Sequence, residues 1–380
     1  MSLLNRVPKS KPEDETLKQK IINSVLAQLQ VDESGMTDNI DILREKILAI
    51  LNTIPDIGDK THNDDQLQAL YTAVIHEIIG YGPLQPLLDD DTITEILVLP
   101  SKRVFIRRNG GDRESANVQF DDGDHVLRIA DRLIAGIRKH VIMNRWIRAR
   151  LSNEWIVNVD WFTQEGLNDV GWQTLQLRRM RPPMLTPEEH IEREVLTQEM
   201  LTYLQTAVAQ SKRIIVGGTD NNAVGGLVYL LSGFLEEHIF AVAVEDIYKI
   251  ALAAAGIVKM RLPQRPHQDI RQLGTHEADV ADFIPQVLQL RPDVLIVSEL
   301  NTLTCASVLW AATPYIGTLH SRSPEYSAQW LTHHGGLTDV AKLANCTDVI
   351  VQMEAPYRLG SICEIDANTP RVLRTIFTYD

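Results

Sequence analysis

The chain has 380 residues, 44% hydrophobic and 23% charged, with a formal net charge of −13 at pH 7. This length predicts two or three domains rather than one core, the acidic balance argues against a nucleic-acid partner, and no apolar run reaches membrane-spanning length. Cys305, Cys346 and Cys363 are an odd number without C-x-x-C spacing, which argues against a disulfide framework and a zinc site, so no metal site is expected. The polar N-terminus carries no signal-peptide core, and the expected compartment is the cytoplasm.

Residues 1–15 read as a flexible tail rich in Lys, Pro and Glu. Leu17–Gln30, Ile40–Leu51 and Gln66–Ile79 each place apolar residues at helical spacing, and Gly80-Tyr81-Gly82-Pro83 stops the third. Residues 16–80 are thus expected to form a helical module whose helices pack on one another; the alternative for Leu17–Gln30 and Ile40–Leu51 is a docking module for a partner. Residues 81–180 predict an α+β domain with strands Ile93–Leu99, Arg103–Arg107, Ile156–Val159 and Thr174–Arg178 and a helix His125–Ile137. Arg181-Pro182-Pro183 opens a linker over 181–190, where Thr186 suits a helix cap. Residues 191–380 alternate strands (Ile214–Val216, Ile239–Val244, Val294–Val297, Ile316–Leu319, Val349–Met353) with helices, which predicts a mostly parallel sheet in an α/β domain.

The stretch Arg213 to Gly226 carries the most information. Ile214–Val216 predicts a buried strand, Gly217-Gly218-Thr219 a turn, and Leu227–Phe234 a helix, which is the frame of a phosphate-binding loop. A loop of that kind reads G-x-x-x-x-G-K-[ST]. Laid from Gly217, its second glycine position holds Asn222, its lysine position Ala223 and its hydroxyl position Val224. Ala223 supplies no charge to a phosphate and Val224 no oxygen to Mg²⁺. Asp220 adds a like charge, repelling an anion by roughly 4 kcal/mol at contact for an effective dielectric near 20. Asn221 and Asn222 tolerate left-handed backbone, so the loop shape is expected to persist. An ordinary Gly-rich strand-to-helix turn is the alternative.

Ligands of open α/β sheets gather beyond the carboxyl ends of the strands. There stand Glu245, Glu299 and His320. Glu299 would orient water or help hold Mg²⁺, and His320 would sense a γ-phosphate or couple the site to a neighbouring subunit; the alternatives are a helix-capping carboxylate and a structural polar contact.

Gly80-Tyr81-Gly82-Pro83-Leu84-Gln85-Pro86-Leu87-Leu88, followed by Ile93-Thr94-Glu95-Ile96, resembles the opening of the second N-terminal domain of secretion and pilus-assembly ATPases, above all the CpaF type that drives Tad pili. Ala149-Arg150-Leu151 with Val157-Asn158, Leu177-Arg178-Arg179, the loop 217–224, Val244-Glu245-Asp246, Leu290-Arg291-Pro292-Asp293 through Ser298-Glu299, and Gly317-Thr318-Leu319-His320 match further family motifs in order over about residues 75–355. The resemblance implies a RecA-like P-loop NTPase domain at the C-terminus. It implies ATP and Mg²⁺ as ligands, nucleotide contacts from Gly217, Gly218, Thr219, Asp220, Asn221, Asn222, Ala223, Val224, Arg150, Arg178 and Glu245, and catalytic roles for Glu299 and His320. It also implies a hexamer or a hetero-oligomer with an active paralogue, an inner-membrane platform protein as partner, and a peripheral place at that membrane.

The departures gather at catalytic positions. A family arginine is replaced by Ile156, the acidic box continues as Ile247-Tyr248-Lys249-Ile250, and Leu300-Asn301-Thr302-Leu303-Thr304 lacks an arginine and an acid. The stretch before the histidine box is short, and a helix is expected to be missing after it. Three readings follow: a catalytically impaired scaffold or regulator, a sensor that binds nucleotide without hydrolysis, or an active ATPase in which Arg178, Arg179 or Arg265 replaces the missing charge.

Overall fold

A computed structural model of the chain describes residues 21–25, 40–51, 64–99, 103–109, 111–133, 146–151, 154–163, 170–245, 250–261, 283–302, 304–354, 357–366 and 373–379. Most of Leu17–Gln30, the acidic-box continuation through Lys249, and Arg265 lie outside these residues. Among the described residues, no helix is long and apolar enough to cross a membrane.

The first two labelled helices are α1 (Ile40–Leu51) and α2 (Asp64–Ile78). Their apolar positions Ile47, Leu51, Val74, Ile75 and Ile78 close over Ile21, Ile22 and Val25 in one buried cluster, the mutual packing that helical spacing predicts. A 3₁₀ turn over Gly82–Leu84 and a short α3 (Gln85–Asp89) then lead into the first sheet.

That sheet has six strands: β1 (Ile93–Val98), β2 (Val104–Arg108), β3 (Arg113–Ser115), β4 (Trp146–Arg150), β5 (Trp155–Thr163) and β6 (Val170–Arg179), ordered β3-β2-β1-β6-β5-β4. All its pairs are antiparallel. Period-two alternation divides its faces. Ile106, Ile96, Leu177 and Val157 stand opposite one another in register. They face the core with Val126, Ile129 and Leu133 of α4 (Gly123–Leu133). The row beside them faces away from that core, and it belongs to the candidate site.

Thr186 caps α5 (Pro187–Glu192) through a capping box with Glu189, as its position before Pro and two acids suggests. After α6 (Gln198–Ala209) comes an eight-stranded mixed sheet: β7 (Ile214–Gly218), β8 (Ala241–Glu245), β9 (Val258–Arg261), β10 (Val294–Val297), β11 (Tyr315–His320), β12 (Val349–Glu354), β13 (Arg358–Ile365) and β14 (Leu373–Thr378), ordered β14-β13-β12-β7-β11-β10-β8-β9. From β12 to β9 every pair is parallel. Counting β7, β8, β10, β11 and β12 as strands one to five, their spatial order is five-one-four-three-two, a RecA-like α/β sheet. β13 and β14 add an antiparallel flank. Every residue of β7 is buried, because helices cover both faces. Ile214 and Val216 pack on Leu227 and Val228 of α7 (Asn221–Ser232); Ile215 packs on the opposite cluster with Leu331.

Two expectations are corrected. The strand runs through Gly217 and Gly218, and α7 starts at Asn221, six residues before Leu227. A helix also follows the histidine-box strand at once: after the short α8 (Cys305–Leu309) and β11, Ser323 caps α9 (Pro324–His334) by accepting from the Tyr326 N–H. The Ser-Pro-Glu run there is an N-terminal helix signal in its own right.

Candidate functional site

The turn at the end of β7 is Thr219-Asp220. Asp220 is the N-cap of α7, in extended backbone (φ −105°, ψ 113°), and its carboxylate accepts from the Asn222 N–H at 2.8 Å. A helix N-terminus carries unsatisfied N–H groups and a positive field, the ordinary seat of a phosphate. Here the chain's own carboxylate takes that position. No residue from Gly217 to Asn222 has a positive φ, so the left-handed loop expected from Asn221 and Asn222 is absent; both belong to the first turn of the helix. The cap supplies the physical reason, because it satisfies the N–H group that a wider loop would turn towards a ligand.

Asn222 has a second function. Its amide Nδ2 donates to the Arg179 carbonyl at 2.9 Å, and its Oδ1 accepts from the Arg181 N–H at 2.8 Å. This two-bond clasp joins the start of α7 to the chain leaving β6. Pro182 and Pro183 then lie across the helix beside Gly225 and Gly226. A Cβ on Gly226 would stand 2.8 Å from Pro183 Cγ and 2.7 Å from the Tyr357 hydroxyl, so glycine inside this helix is set by close approach. Tyr357 donates to Nε2 of the buried His190, whose Nδ1–H donates to the Thr186 carbonyl. Burial holds His190 below the usual imidazole range and raises the Tyr357 phenol, so the pair is neutral. Ala223 and Val224 are 1% and 5% exposed.

Gly217 and Gly218 sit over a buried polar pair. The Ser321 N–H donates to the Gly218 carbonyl, Ser321 Oγ donates to Gln352 Oε1 at 3.0 Å, and Gln352 Nε2 donates to the Ser321 carbonyl. A Cβ on Gly217 would lie 2.4 Å from Ser321 Oγ. This glycine therefore serves strand packing.

Glu299 and His320 come together. They line a cavity at the strand ends with Ser298, Thr318, Asn221 and Val224. Its volume is about 30 Å³, room for a water and far below the ~300–1,000 Å³ of small-molecule sites. Glu245 takes no part in its lining. It is buried, and its carboxylate accepts from the Ile250 N–H at 2.9 Å.

A larger cleft of about 270 Å³ lies on the other side of the turn, between Thr219–Asn222 and the first sheet. Arg113, Arg107, Glu95, Arg178, Ile156 and Arg150 are mutually paired in register across the whole sheet and share one face. Arg107, Arg113, Arg178 and Arg179 line the cleft, with Glu95 and Asp220. Glu95 accepts from Arg107 Nε at 3.0 Å, Arg113 Nη2 at 3.1 Å and Gln176 Nε2 at 2.6 Å. Burial raises its carboxyl, but the Gln176 bond and the Arg178, Arg113 and Arg107 charges outweigh this and hold it below the ordinary range. Arg179 is 3% exposed, lies over the Trp155 ring at 4.5 Å, and bridges to Asp91, as does Arg181. Arg150 shares the row two strands away and does not line the cleft.

Of the expected residues, the structure brings Asn221 and Val224 to the Glu299–His320 cavity, and Thr219, Asp220, Asn221, Asn222 and Arg178 to the arginine cleft. Sequence reasoning missed Glu95, Arg107, Arg113, Gln176 and Arg181. A buried carboxylate inside the apolar run Ile93-Thr94-Glu95-Ile96 is the signal that could have found the first.

No protein-family model matches the chain. A Mycobacterium tuberculosis protein named for conjugal transfer is 25% identical over 283 residues, covering 69% of this chain and 74% of its own length. The conjugal transfer protein TrbB of Rhizobium radiobacter is 23% identical over 234 residues, covering 59% and 65%. Among solved structures, the VirB11 ATPase of the Brucella suis type IV secretion system, in complex with sulphate, is similar over 76% of this chain and 97% of its own at 17% identity, with a TM-score of 0.37.

Proposed function

We propose that this distant homologue of the type II and type IV secretion traffic ATPases is a catalytically impaired member that acts as a scaffold or regulator of a secretion, conjugation or pilus machine. The observation that carries the proposal is the closed start of α7. Asp220 caps the helix, Asn222 clasps the chain at Arg179 and Arg181, and the positions of the family's phosphate-contacting lysine and metal-contacting hydroxyl hold buried Ala223 and Val224. Phosphoryl transfer rests on positioning and on stabilising charge, and this arrangement supplies neither at the loop. In this reading Glu299 and His320 are vestigial. The chain works in the cytoplasm or at the inner face of the membrane, in a ring of its own copies or with an active paralogue, against a platform protein of a machine such as the CpaF-driven Tad pilus. We also propose a division into a helical module to residue 80, an α+β domain over 81–180 and the RecA-like domain from 191.

Melting the purified protein in the presence of millimolar Mg-ATP tests this. A ligand at 100 times its Kd stabilises by about 2.7 kcal/mol, so the expected result is an unmoved transition; hydrolysis by the unaltered chain overturns the proposal. A second reading, a sensor that binds without turnover, draws support from the four arginines of the 270 Å³ cleft. It would appear as a melting shift from ATP or another polyphosphate that Arg178→Ala removes, without phosphate release.

A further inference from the structure

A further concavity lies away from the site described above. It is a groove of about 750 Å³, formed where the end of α7, the start of α5 and the segment before β9 meet. Leu185, Tyr229, Phe234, Ile239, Ala254 and Ile257 give it an apolar floor, and Glu236 and Glu237 stand on its rim. Both glutamates are exposed. Met184 (64% exposed) and Phe240 (37% exposed) are chain neighbours of lining residues and extend the apolar character outwards. A concavity of this volume lined mostly by apolar side chains is the common form of a binding surface.

We propose that this groove docks an amphipathic helix of a partner protein, with an apolar face for the floor and lysine or arginine beside it for the rim. Charge complementarity selects this occupant. The rim is acidic on a chain whose net charge is −13, so an acidic helix is repelled, and an anionic membrane surface is repelled in the same way. A second copy of this chain carries the same unfavourable charge balance. The floor is built partly from small side chains, Ala253, Ala254 and Ala255, which let a helix approach closely. This surface is compatible with a scaffold, but it does not depend on whether the arginine cleft or the α7 turn handles nucleotide.

The test uses the full chain and a fluorescent 14-residue Leu/Lys peptide of helical periodicity, followed by anisotropy, with a scrambled peptide of the same composition and a Leu/Glu version as comparisons. The periodic Leu/Lys peptide is expected to bind at least about tenfold more tightly than either, and its affinity should fall with salt over the screening range of about 0.1–1 M. Ala255→Arg, at an exposed position, and the double variant Glu236→Lys/Glu237→Lys should each weaken binding about tenfold, roughly 1.4 kcal/mol, with the melting temperature unchanged. Equal binding of the scrambled peptide, or unchanged affinity in both variants, overturns the proposal. So does a groove-dependent change in particle mass, which would assign the groove to a second copy, or groove-dependent sedimentation with phosphatidylglycerol vesicles, which would assign it to a membrane. ATP binding or turnover leaves all these outcomes unaffected, so failure of the scaffold reading is separable from failure of this one.

Discussion

At the scale of the residue, one amide ties the start of α7 to the segment leaving the first sheet. Asn222 reaches two main-chain groups of the segment leaving β6, and no charged group could make both bonds, because one partner is a carbonyl and the other an N–H. Asn222→Ala removes both, at a cost of about 1–3 kcal/mol from two bonds of roughly 0.5–1.5 each. The expected outcome is a lower urea midpoint read by tryptophan fluorescence, since Trp155 packs against Arg179, the residue whose carbonyl the amide holds. Asp220→Ala should cost about 1 kcal/mol as a lost cap. Gly217→Ala tests strand packing in isolation: its Cβ would meet Ser321 Oγ at 2.4 Å, and overpacking of this kind costs about 1–3 kcal/mol. A wild-type melting curve for that variant would mean that the Ser321–Gln352 pair shifts freely.

At the scale of the element, one carboxylate ties the antiparallel flank to α6 and to the segment entering β7. Glu364 on β13 accepts from the Tyr203 hydroxyl of α6 at 2.7 Å and from Lys212 at 2.9 Å, and pairs with Arg374 of β14 at 2.6 Å. Burial raises its carboxyl, but the Tyr203, Lys212 and Arg374 bonds prevail and bring it down to about 2 from an ordinary 4.5. A depressed carboxylate contributes stability above its unfolded value and loses it as pH falls through the folded one. Unfolding measured by circular dichroism should therefore show wild type and Glu364→Gln fully separated above about pH 4.5 and converging towards pH 2. This flank also marks the limit of what the sequence discloses. The parallel strands β7, β10, β11 and β12 are legible because each is a β-branched run buried on both faces. Neither Arg358–Ile365 nor Leu373–Thr378 was anticipated as a strand, because the first opens on the exposed Arg358 and interrupts its apolar residues with Gly360 and Ser361, and the second buries no residue fully. The arginine row was illegible for a different reason. Its members come from all six strands of the first sheet, and only cross-strand register aligns them. Asp220 and Asn222 were legible as departures from a phosphate loop; their function as cap and clasp depends on where β6 ends.

At the scale of the whole molecule, the proposed failure to bind nucleotide has two candidate causes, the missing loop chemistry and the closed interface, and two sets of substitutions separate them. Ala223→Lys with Val224→Thr restores the loop chemistry and leaves the interface shut. Because positions 223 and 224 are 1% and 5% exposed, the new ammonium would be buried without an anion. A buried lysine is driven towards its neutral form at several units of pKa, so this double variant should melt below wild type and gain nothing from Mg-ATP. Adding Asp220→Gly and Asn222→Gly removes the internal carboxylate and both clasp bonds, freeing the turn to widen and bringing the lysine to the helix start that a phosphate would occupy. The four-fold variant should be less stable than the double one alone, yet it should gain a melting shift in Mg-ATP, because a ligand that binds only the folded state raises stability in proportion to the logarithm of its concentration. Differential scanning fluorimetry of the three proteins over a nucleotide series decides the matter. If the double variant responds to Mg-ATP as strongly as the four-fold one, the clasp is incidental and the missing lysine and hydroxyl alone account for silence. If only the four-fold variant responds, the contact between the two sheets is itself the barrier, and the chain holds by internal hydrogen bonds a juxtaposition that a bound phosphate would otherwise have to stabilise.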